Sequence, residues 1–370
     1  MKNSMGSTWG NHLKISIFGE SHGPGVGVVI NGFPAGFSLD MDYILAEMKR
    51  RAPGQRELTT DRKEADIPVI MSGILEGVTT GAPICALIHN TDMHSKDYDE
   101  VINIPRPSHS DYTGHVRYGG YNDIRGGGHF SGRLTAPLVF AGALCKGYLR
   151  QNKHIEIGAH LFSLGEIMDR PFDLVHVSSD QLKSLQKESF PVLEQDAGLR
   201  MRKAVEEAKM DQNSLGGIIE CAATGIKAGL GSPIFDNVES RIASLIYGIP
   251  AVKGIEFGQG FEMSKKTGAE VNDCFIKTNH MIGTKTNHNG GLLGGITTGM
   301  PIVLRVAFKP TPSISSEQVT LNLSSGEEEI LVIKGRHDPC IALRCPVIVE
   351  AAVAVAIMDL HLEAYGYDAK

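Results

Sequence analysis

At 370 residues, 42% apolar and 21% charged, the chain can build one large domain or two ordinary ones around a substantial core, which excludes disorder and small disulfide scaffolds. Its net charge of −6 offers no broad basic footprint for nucleic acid or an anionic membrane, and a single tryptophan with 6% aromatics argues against a stacking platform for single strands. A polyanionic ligand stays allowed, because beyond a screening length of about 8 Å a few well-placed cations outweigh the global charge.

Glycine fills 43 positions with neither a G-X-Y period nor low complexity, so many tight turns and close backbone approaches are expected. The six cysteines form no C-x-x-C pair and sit among apolar or small neighbours, as reduced, buried thiols do. The N-terminal stretch lacks the continuous apolar run of a secretion signal. The most apolar tract, Val347 to Met358, is interrupted by Glu350 and falls short of the roughly 20 residues that span a bilayer. A reducing, cytoplasmic setting is the expectation.

In chain order, Leu13 to Phe18 alternates like a strand, the glycine-dense turn Gly19 to Gly27 follows, and Val28 to Ile30 reads as a second strand. Asp40 to Arg51 predicts a helix: Met41, Ile44, Leu45 and Met48 share a face, and Lys49, Arg50 and Arg51 crowd the end where the helix dipole favours cations. The segment RAPGQRELTTDRKE reads as an exposed basic loop. Strands near Ile67 to Met71 and Ile84 to His89 lead into a long irregular stretch, Asn90 to Gly128, too aromatic and too patterned for disorder and therefore read as functional. Ser131 to Leu149 is helical, with Pro137 marking either a kink or a later start. Asp180 to Lys187 and Gly198 to Asp211 read as surface helices, Ile302 to Phe308 as a strand, and Pro346 to about Glu363 as a buried helix. Gly216 to Gly248 repeats the order strand, glycine turn, helix of Gly27 to Arg51, which points to one domain, residues 1–370, with internal pseudo-symmetry.

Five clusters can carry chemistry. Ser21 and His22 sit on the first glycine turn, where absent side chains leave room for a ligand. In RPSHSD, Arg106 to Asp111, the carboxylate can orient His109 and set its tautomer, or the segment can be a capped turn before a helix. RGGGHFSGR, Arg125 to Arg133, runs three glycines into a helix start, where N–H groups and two arginines can hold an anion. Asn287 to Gly295 and Lys309 to Ser313 flank a strand, and Gly335 to Cys340 with Arg344 adjoins the buried helix. No Walker A, G-x-S-x-G or H-E-x-x-H sequence occurs, and the histidine pairs lack metal-ligand spacing, so no metal is expected.

Taken together, FGESHG, RRAPG, RPSHSDY, RGGG-x-x-S-x-R, NHNGGLLGGI, KPTPSI and GRHDPC, in this order from Phe18 to Cys340, resemble the chorismate synthase family over nearly the whole chain. The resemblance implies an α+β fold, a single-domain sandwich of antiparallel sheets around a helical layer, assembled as a homotetramer. It implies anti 1,4-elimination of phosphate from 5-enolpyruvylshikimate-3-phosphate (EPSP) to give chorismate, with reduced FMN and no net redox change. NADPH enters only as an indirect reductant, through the chain itself or an external flavin reductase. Neither nucleic acid nor a membrane is an expected partner.

By the same resemblance, His22 matches the histidine that protonates the departing phosphate, His109 the one that serves the reduced flavin, and Asp338 the carboxylate credited, through flavin N5, with removing the C6 proton. Ser21 and Ser131 match hydroxyls near flavin and substrate. Flavin contacts carry over to His129, Phe130, Ser131, Ala251, Gly294, Lys309, Pro310, Thr311, Pro312, Ser313 and Arg336, and contacts to the substrate anions to Arg50, Arg51 and Arg133. EPSP brings roughly four negative charges, and a cation at ~4 Å in an effective dielectric of ~20 offers each about 4 kcal/mol of gross attraction.

One departure stands out. Where the family commonly reads GGGRSSARET, this chain has GGGHFSGRLTA, so His129, Phe130 and Leu134 replace an arginine, a serine and a glutamate. A permanent cation becomes one that titrates, which predicts ligand affinity falling above about pH 7. A metal-dependent phosphohydrolase built on His89, Asp92 and His94, or a non-catalytic anion binder, also fits the histidines and glycine loops, but neither explains seven motifs in one order.

Overall fold

Alternating apolar side chains build the first sheet from β1 (Thr8–Trp9), β2 (Lys14–Gly19), β3 (Gly25–Asn31), β4 (Pro68–Ser72) and β7 (Ile84–His89), antiparallel in the order β1-β2-β3-β7-β4. The computed structural model describes residues 6–54, 58, 64–91, 103–278, 281–333 and 338–367. β5 (Ile74–Leu75) and β6 (Val78–Thr79) form a small hairpin before β7. Val26, Val28 and Ile30 of β3 point to one face and are fully buried there.

The second sheet joins β8 (Glu156–Leu164), β9 (Ile167–Met168), β10 (Gly217–Thr224), β11 (Val252–Phe257) and β16 (Ile302–Phe308) in the order β11-β16-β10-β8-β9, again antiparallel. Hairpins β12 (Phe275–Thr278) with β13 (Met281–Thr284) and β14 (Leu292–Leu293) with β15 (Ile296–Thr297) precede β16, and β17 (Gln318–Leu321) pairs with β18 (Glu328–Leu331) after it. The helices are α1 (Met41–Arg51), α2 (Asp111–Tyr118), α3 (Thr135–Lys153), α4 (Ser179–Lys187), α5 (Gln195–Met210), α6 (Val238–Ile246), α7 (Gly268–Val271) and α8 (Cys345–Tyr365).

Helices α3 and α8 form the middle layer, α3 against the first sheet and α8 against the second. They touch at Gly142, where a Cβ would stand 2.2 Å from that of Ala351. β3 and β10 are each the middle strand of their sheet, and each is followed by a helix: α1, which packs on α3, and α6, which packs on α8. The segment Ile341–Tyr365 is long and apolar enough to cross a membrane, but its most apolar window is 89% buried inside the protein.

Several expectations shift. Pro137 is the third residue of α3, in the first turn where its missing N–H costs nothing, so it marks a start and not a kink. The stretch read as irregular holds α2, a helix of eight residues with only Asp111 and Gly114 buried. The supposedly exposed basic loop is tucked in at both ends, with Arg51, Glu64 and Asp66 buried; its residues 55–57 and 59–63 lie outside the described residues. Cys274 is exposed and Cys85 half-buried, unlike the other four cysteines.

Two polar clusters are built into the core. In the helical layer, Glu350 of α8 accepts from Arg50 at 2.7 Å through both oxygens, from Lys146 of α3 at 2.5 Å and from the backbone N–H of Ala159 on β8 at 3.0 Å. Glu47 of α1 accepts from Arg50 at 2.8 Å and from Lys146 at 2.6 Å. Burial alone would raise the Glu47 carboxyl, but Arg50 and Lys146 overcome it and hold it at about 2. On the outer face of the second sheet, His160, Glu220 and Arg305 stand opposite one another on adjacent strands. His160 bonds Asp169 through Nδ1 at 3.0 Å and Glu220 through Nε2 at 2.9 Å.

Breaking the quartet leaves buried charge uncompensated. Glu350→Ala is therefore expected to destabilise the protein by about 3–5 kcal/mol in urea unfolding; a loss under 1 kcal/mol would refute the reading. Burial alone would lower His160, but its two carboxylate partners raise it above an ordinary histidine. Its contribution is complete below the unfolded value near 6.5 and is lost as pH rises through the raised folded value. The stability gap between the parent and His160→Gln should accordingly be widest at about pH 6 and narrow in alkali; a gap independent of pH contradicts this.

Candidate active site

Four helix ends and three loops converge on one cleft of about 550 Å³. Arg51 arrives at the C-terminus of α1 and Tyr247 follows α6, while short 3₁₀ turns leading into α3 and α8 contribute Gly132 to Arg133 and Ile341 to Arg344. Helix N-termini expose N–H groups and partial positive charge, so two of these ends favour anions. Arg51, Arg106, Arg133, Lys253, Lys309 and Arg344 line the cleft. Four carboxylates pair with them, Glu64, Asp66, Asp111 and Asp338. Six against four leaves two positive charges in surplus among the described residues.

Asp66 stands between two of these arginines. Its Oδ2 accepts from Arg51 Nη1 at 2.7 Å and its Oδ1 from Arg133 Nη1. Arg51 also donates to Thr135 Oγ1 at 3.1 Å and to the Gly132 carbonyl at 3.0 Å. Burial lowers Arg51, Asp66 opposes this, and Arg344 and Arg133 add to the lowering, to about 10. It remains a cation at neutral pH, and an arriving anion would relieve the crowding.

A second cluster surrounds His109. Its Nδ1 lies 2.6 Å from Asp111 Oδ1, and Arg106 donates to both oxygens of the same carboxylate at 2.7 Å. Arg106 Nη1 further donates to Ser313 Oγ at 3.2 Å. Lys309 Nζ donates to the Ser108 carbonyl. Burial lowers His109 first; Asp111 opposes, and Arg106 and Lys309 reinforce the lowering, so the ring is neutral at neutral pH.

The third element is the triple glycine. Gly126, Gly127 and Gly128 have φ of 58°, 85° and 52°, conformations open to glycine. A Cβ on Gly126 would stand 2.1 Å from His22 Cε1, so the loop closes onto the imidazole only because that side chain is missing. Ser21 Oγ donates to the Arg125 carbonyl at 3.1 Å and thus accepts from His22 Nδ1 at 3.2 Å. Beyond the loop, Arg344 Nη2 donates to Asp338. Arg344 Nε and Thr311 Oγ1 are buried without a hydrogen-bond partner among the described residues, an arrangement that calls for a ligand with acceptor and donor atoms.

The cleft thus gathers Arg51, His109, His129, Phe130, Ser131, Arg133, Ala251, Lys309, Thr311, Pro312, Ser313 and Asp338 from the residues singled out in the sequence. Ser21 and His22 stand directly behind Gly126. Pro310 leaves the wall and approaches Gly216. Gly294 lies in the β14–β15 turn beside Gly295, which meets Asn237 at the start of α6, whereas Tyr247 reaches the cleft from that helix's other end. Arg50, expected among the substrate cations, faces the core instead because both its η nitrogens are held by buried carboxylates. Arg336 lies outside the described residues, as do Asp92 and His94. His129 donates from Nδ1 to the Gly19 carbonyl at 2.8 Å, leaving Nε2 to accept from Ser7 Oγ at 2.8 Å. Among the described residues no group of three His, Cys, Asp or Glu side chains is arranged to hold a metal ion. Asp66 and Lys253 escaped the sequence reading; the need of Arg51 and Arg133 for a shared counter-charge was the one available sign of the former.

Comparison with known proteins agrees along the length of the chain. The family model described as chorismate synthase matches residues 13–362. Curated chorismate synthases of Methanocella arvoryzae and Korarchaeum cryptofilum are 45% and 43% identical, each over 96% of this chain and over 94% and 97% of their own. A crystal structure of a chorismate synthase superposes with a TM-score of 0.76 at 28% identity, covering 97% of this chain and 94% of that one. A family model matching residues 13–362, with curated relatives 43–45% identical over nearly their whole length and a solved structure of the same overall shape, makes this chain a member of the chorismate synthase family.

Proposed function

We propose that the cleft carries out the family's reaction, the loss of phosphate from EPSP to give chorismate, with reduced FMN bound beside the substrate. The observation that carries this reading is the meeting of His22, His109, Ser131, Lys309 and Asp338, from five separate stretches of sequence, around a cleft with surplus positive charge. Its walls suit a flavin nucleotide as well. Phe130, Ile249 and Pro312 offer an apolar surface for a ring system. The cations and the two orphaned polar atoms, Arg344 Nε and Thr311 Oγ1, offer partners for its oxygens.

Reduced FMN, when bound, lends electron density to the allylic system as the C–O bond breaks and regains it afterwards, so no net oxidation occurs. The protein's own part is to bind, orient and move protons. Arg51 and Arg344 attract the substrate's anionic groups, each with a carboxylate that fixes its direction. His22, steadied by Ser21, gives a proton to the leaving phosphate, a role suited to an imidazole. Asp338, held by Arg344, takes up the proton lost from the ring, which balances the elimination. His109 stays neutral beside the flavin-lining segment 309–313. In assembly we favour a homotetramer, since Ile67, Met71, Val319 and Ile330 leave large apolar side chains exposed on sheet and hairpin faces. Electrons for the flavin come from NADPH through the chain itself or an external reductase, and the setting is the cytoplasm.

Anaerobic incubation with EPSP and dithionite-reduced FMN should produce the chorismate absorbance, and His22→Ala should lower kcat by about 10²–10⁴. Full-rate turnover by flavin-free protein would overturn the proposal. Gly126→Ala should approach the His22→Ala rate while costing only about 1–3 kcal/mol of stability for its left-handed φ, because the new methyl occupies the place of the imidazole. Unaltered kcat in the Gly126→Ala variant would show that His22 does not need this position.

A further inference from the structure

We propose that Asp111, clamped by Arg106, is the positioning residue that fixes His109 as the Nδ1–H tautomer and keeps its Nε2 an acceptor in the cleft. The inference deepens the reading of the cleft given above and rests on it for the role of His109. Its physical basis is a conflict between two short contacts. His109 Nδ1 lies 2.6 Å from Asp111 Oδ1 and 3.0 Å from Arg106 Nη2. An arginine N–H can only donate and a carboxylate can only accept, so one nitrogen cannot serve both.

The carboxylate wins. Asp111 receives three bonds from Arg106, from the backbone N–H at 3.0 Å and from Nε and Nη2 at 2.7 Å. Burial would raise its carboxyl, but Arg106 and His109 hold it well below the usual carboxylate range, so it is ionised and Nδ1 must carry the proton. Arg106 then acts in the opposite sense. Its guanidinium, with Lys309, faces the ring and opposes a second proton that would turn the imidazole into a cation. Asp111 thus decides where the one proton sits, and Arg106 withholds another. The remaining nitrogen, Nε2, lies over Gly127, where a Cβ would stand 3.3 Å away, so the glycine leaves that acceptor accessible. Through Ser313 the same arginine ties the ring to the segment 309–313 that lines the cleft.

Long-range ¹H–¹⁵N spectra of the full-length, ¹⁵N-histidine-labelled protein without flavin or substrate test this, with His109→Gln identifying the signal. The expected parent spectrum shows neutral His109 protonated at Nδ1 and titrating below an ordinary histidine. Asp111→Asn should abolish the Nδ1–H preference and lower the titration further, whereas Arg106→Gln should raise it, since Asp111 then faces the ring alone. Opposite shifts from two variants of one ion pair are not produced by general loosening. A parent ring protonated at Nε2 overturns the proposal even if both variants fail to fold, and so do shifts in the same direction. In the elimination assay Asp111→Asn should lower kcat/KM by about 10²-fold, as expected when a group lining the cleft is misplaced. Expected spectra in a protein whose parent form makes no chorismate support the positioning and overturn the proposed function alone.

Discussion

The ion quartet in the helical layer is the constraint on which the cleft depends. α8 is apolar around nearly its whole circumference, and apolar burial by itself specifies rotation and register loosely. Glu350 removes that freedom by accepting from α1, α3 and β8 at once. Asp359, nine residues on and therefore on the opposite side at about 100° per residue, accepts from the N–H groups of His12 and Leu13 at 2.7 Å and pairs with Arg241 of α6. The consequence for the site runs through two neighbours on α1. With Arg50 drawn inward onto Glu350, the next residue is turned to Asp66 and the cleft, so the position of Arg51 follows from a contact made in the core.

An acidic protein has thereby gathered a local surplus of positive charge where two helix N-termini meet. Such a site is electrostatically incomplete on its own. Arg51 is crowded by Arg133 and Arg344 with one carboxylate shared between the first two, and Arg344 keeps a buried donor unmatched. The desolvation of these cations is met during folding by apolar burial in the core. An anionic ligand then finds dipoles and charges already aimed at it, with little reorganisation left to undergo.

Much of this was legible in the sequence, for reasons that differ by element. Period revealed β2, α1 and α4, because each buries one face by a regular pattern, and nearly continuous apolar runs revealed β16 and α8. α2 was legible only as one alternative, a capped turn before a helix at Asp111, because its eight residues bury little and are held by the polar bonds of Asp111. The ordered motifs disclosed the family, yet a motif does not say which way a side chain turns. Arg50 and Arg51 are equivalent in sequence, and only the placement of Glu350, three hundred residues away in the chain, separates a core residue from a cleft residue. Asp66 was hidden for the same reason, since a carboxylate in a charged loop reads as solvated until two buried arginines are found on either side of it.

The triple glycine shows how the two histidines come to share a site. Residues 22 and 109 have no local relation, and each would need a partner surface shaped to its ring. The loop 126–128 supplies both by omission: a side chain on Gly126 would overlap His22, one on Gly127 would crowd His109 at Cε1 and Nε2, and one on Gly128 would strike the Asp123 carbonyl at 2.0 Å. Three successive left-handed φ values turn the backbone tightly enough for consecutive residues to meet different rings. The two imidazoles are therefore spaced by a strip of main chain, which does not adopt rotamers and so fixes their separation more firmly than intervening side chains would. One loop whose only contribution is backbone thus sets the distance between the His22 and His109 imidazoles at the cleft, and the high glycine content has at this point a structural reason.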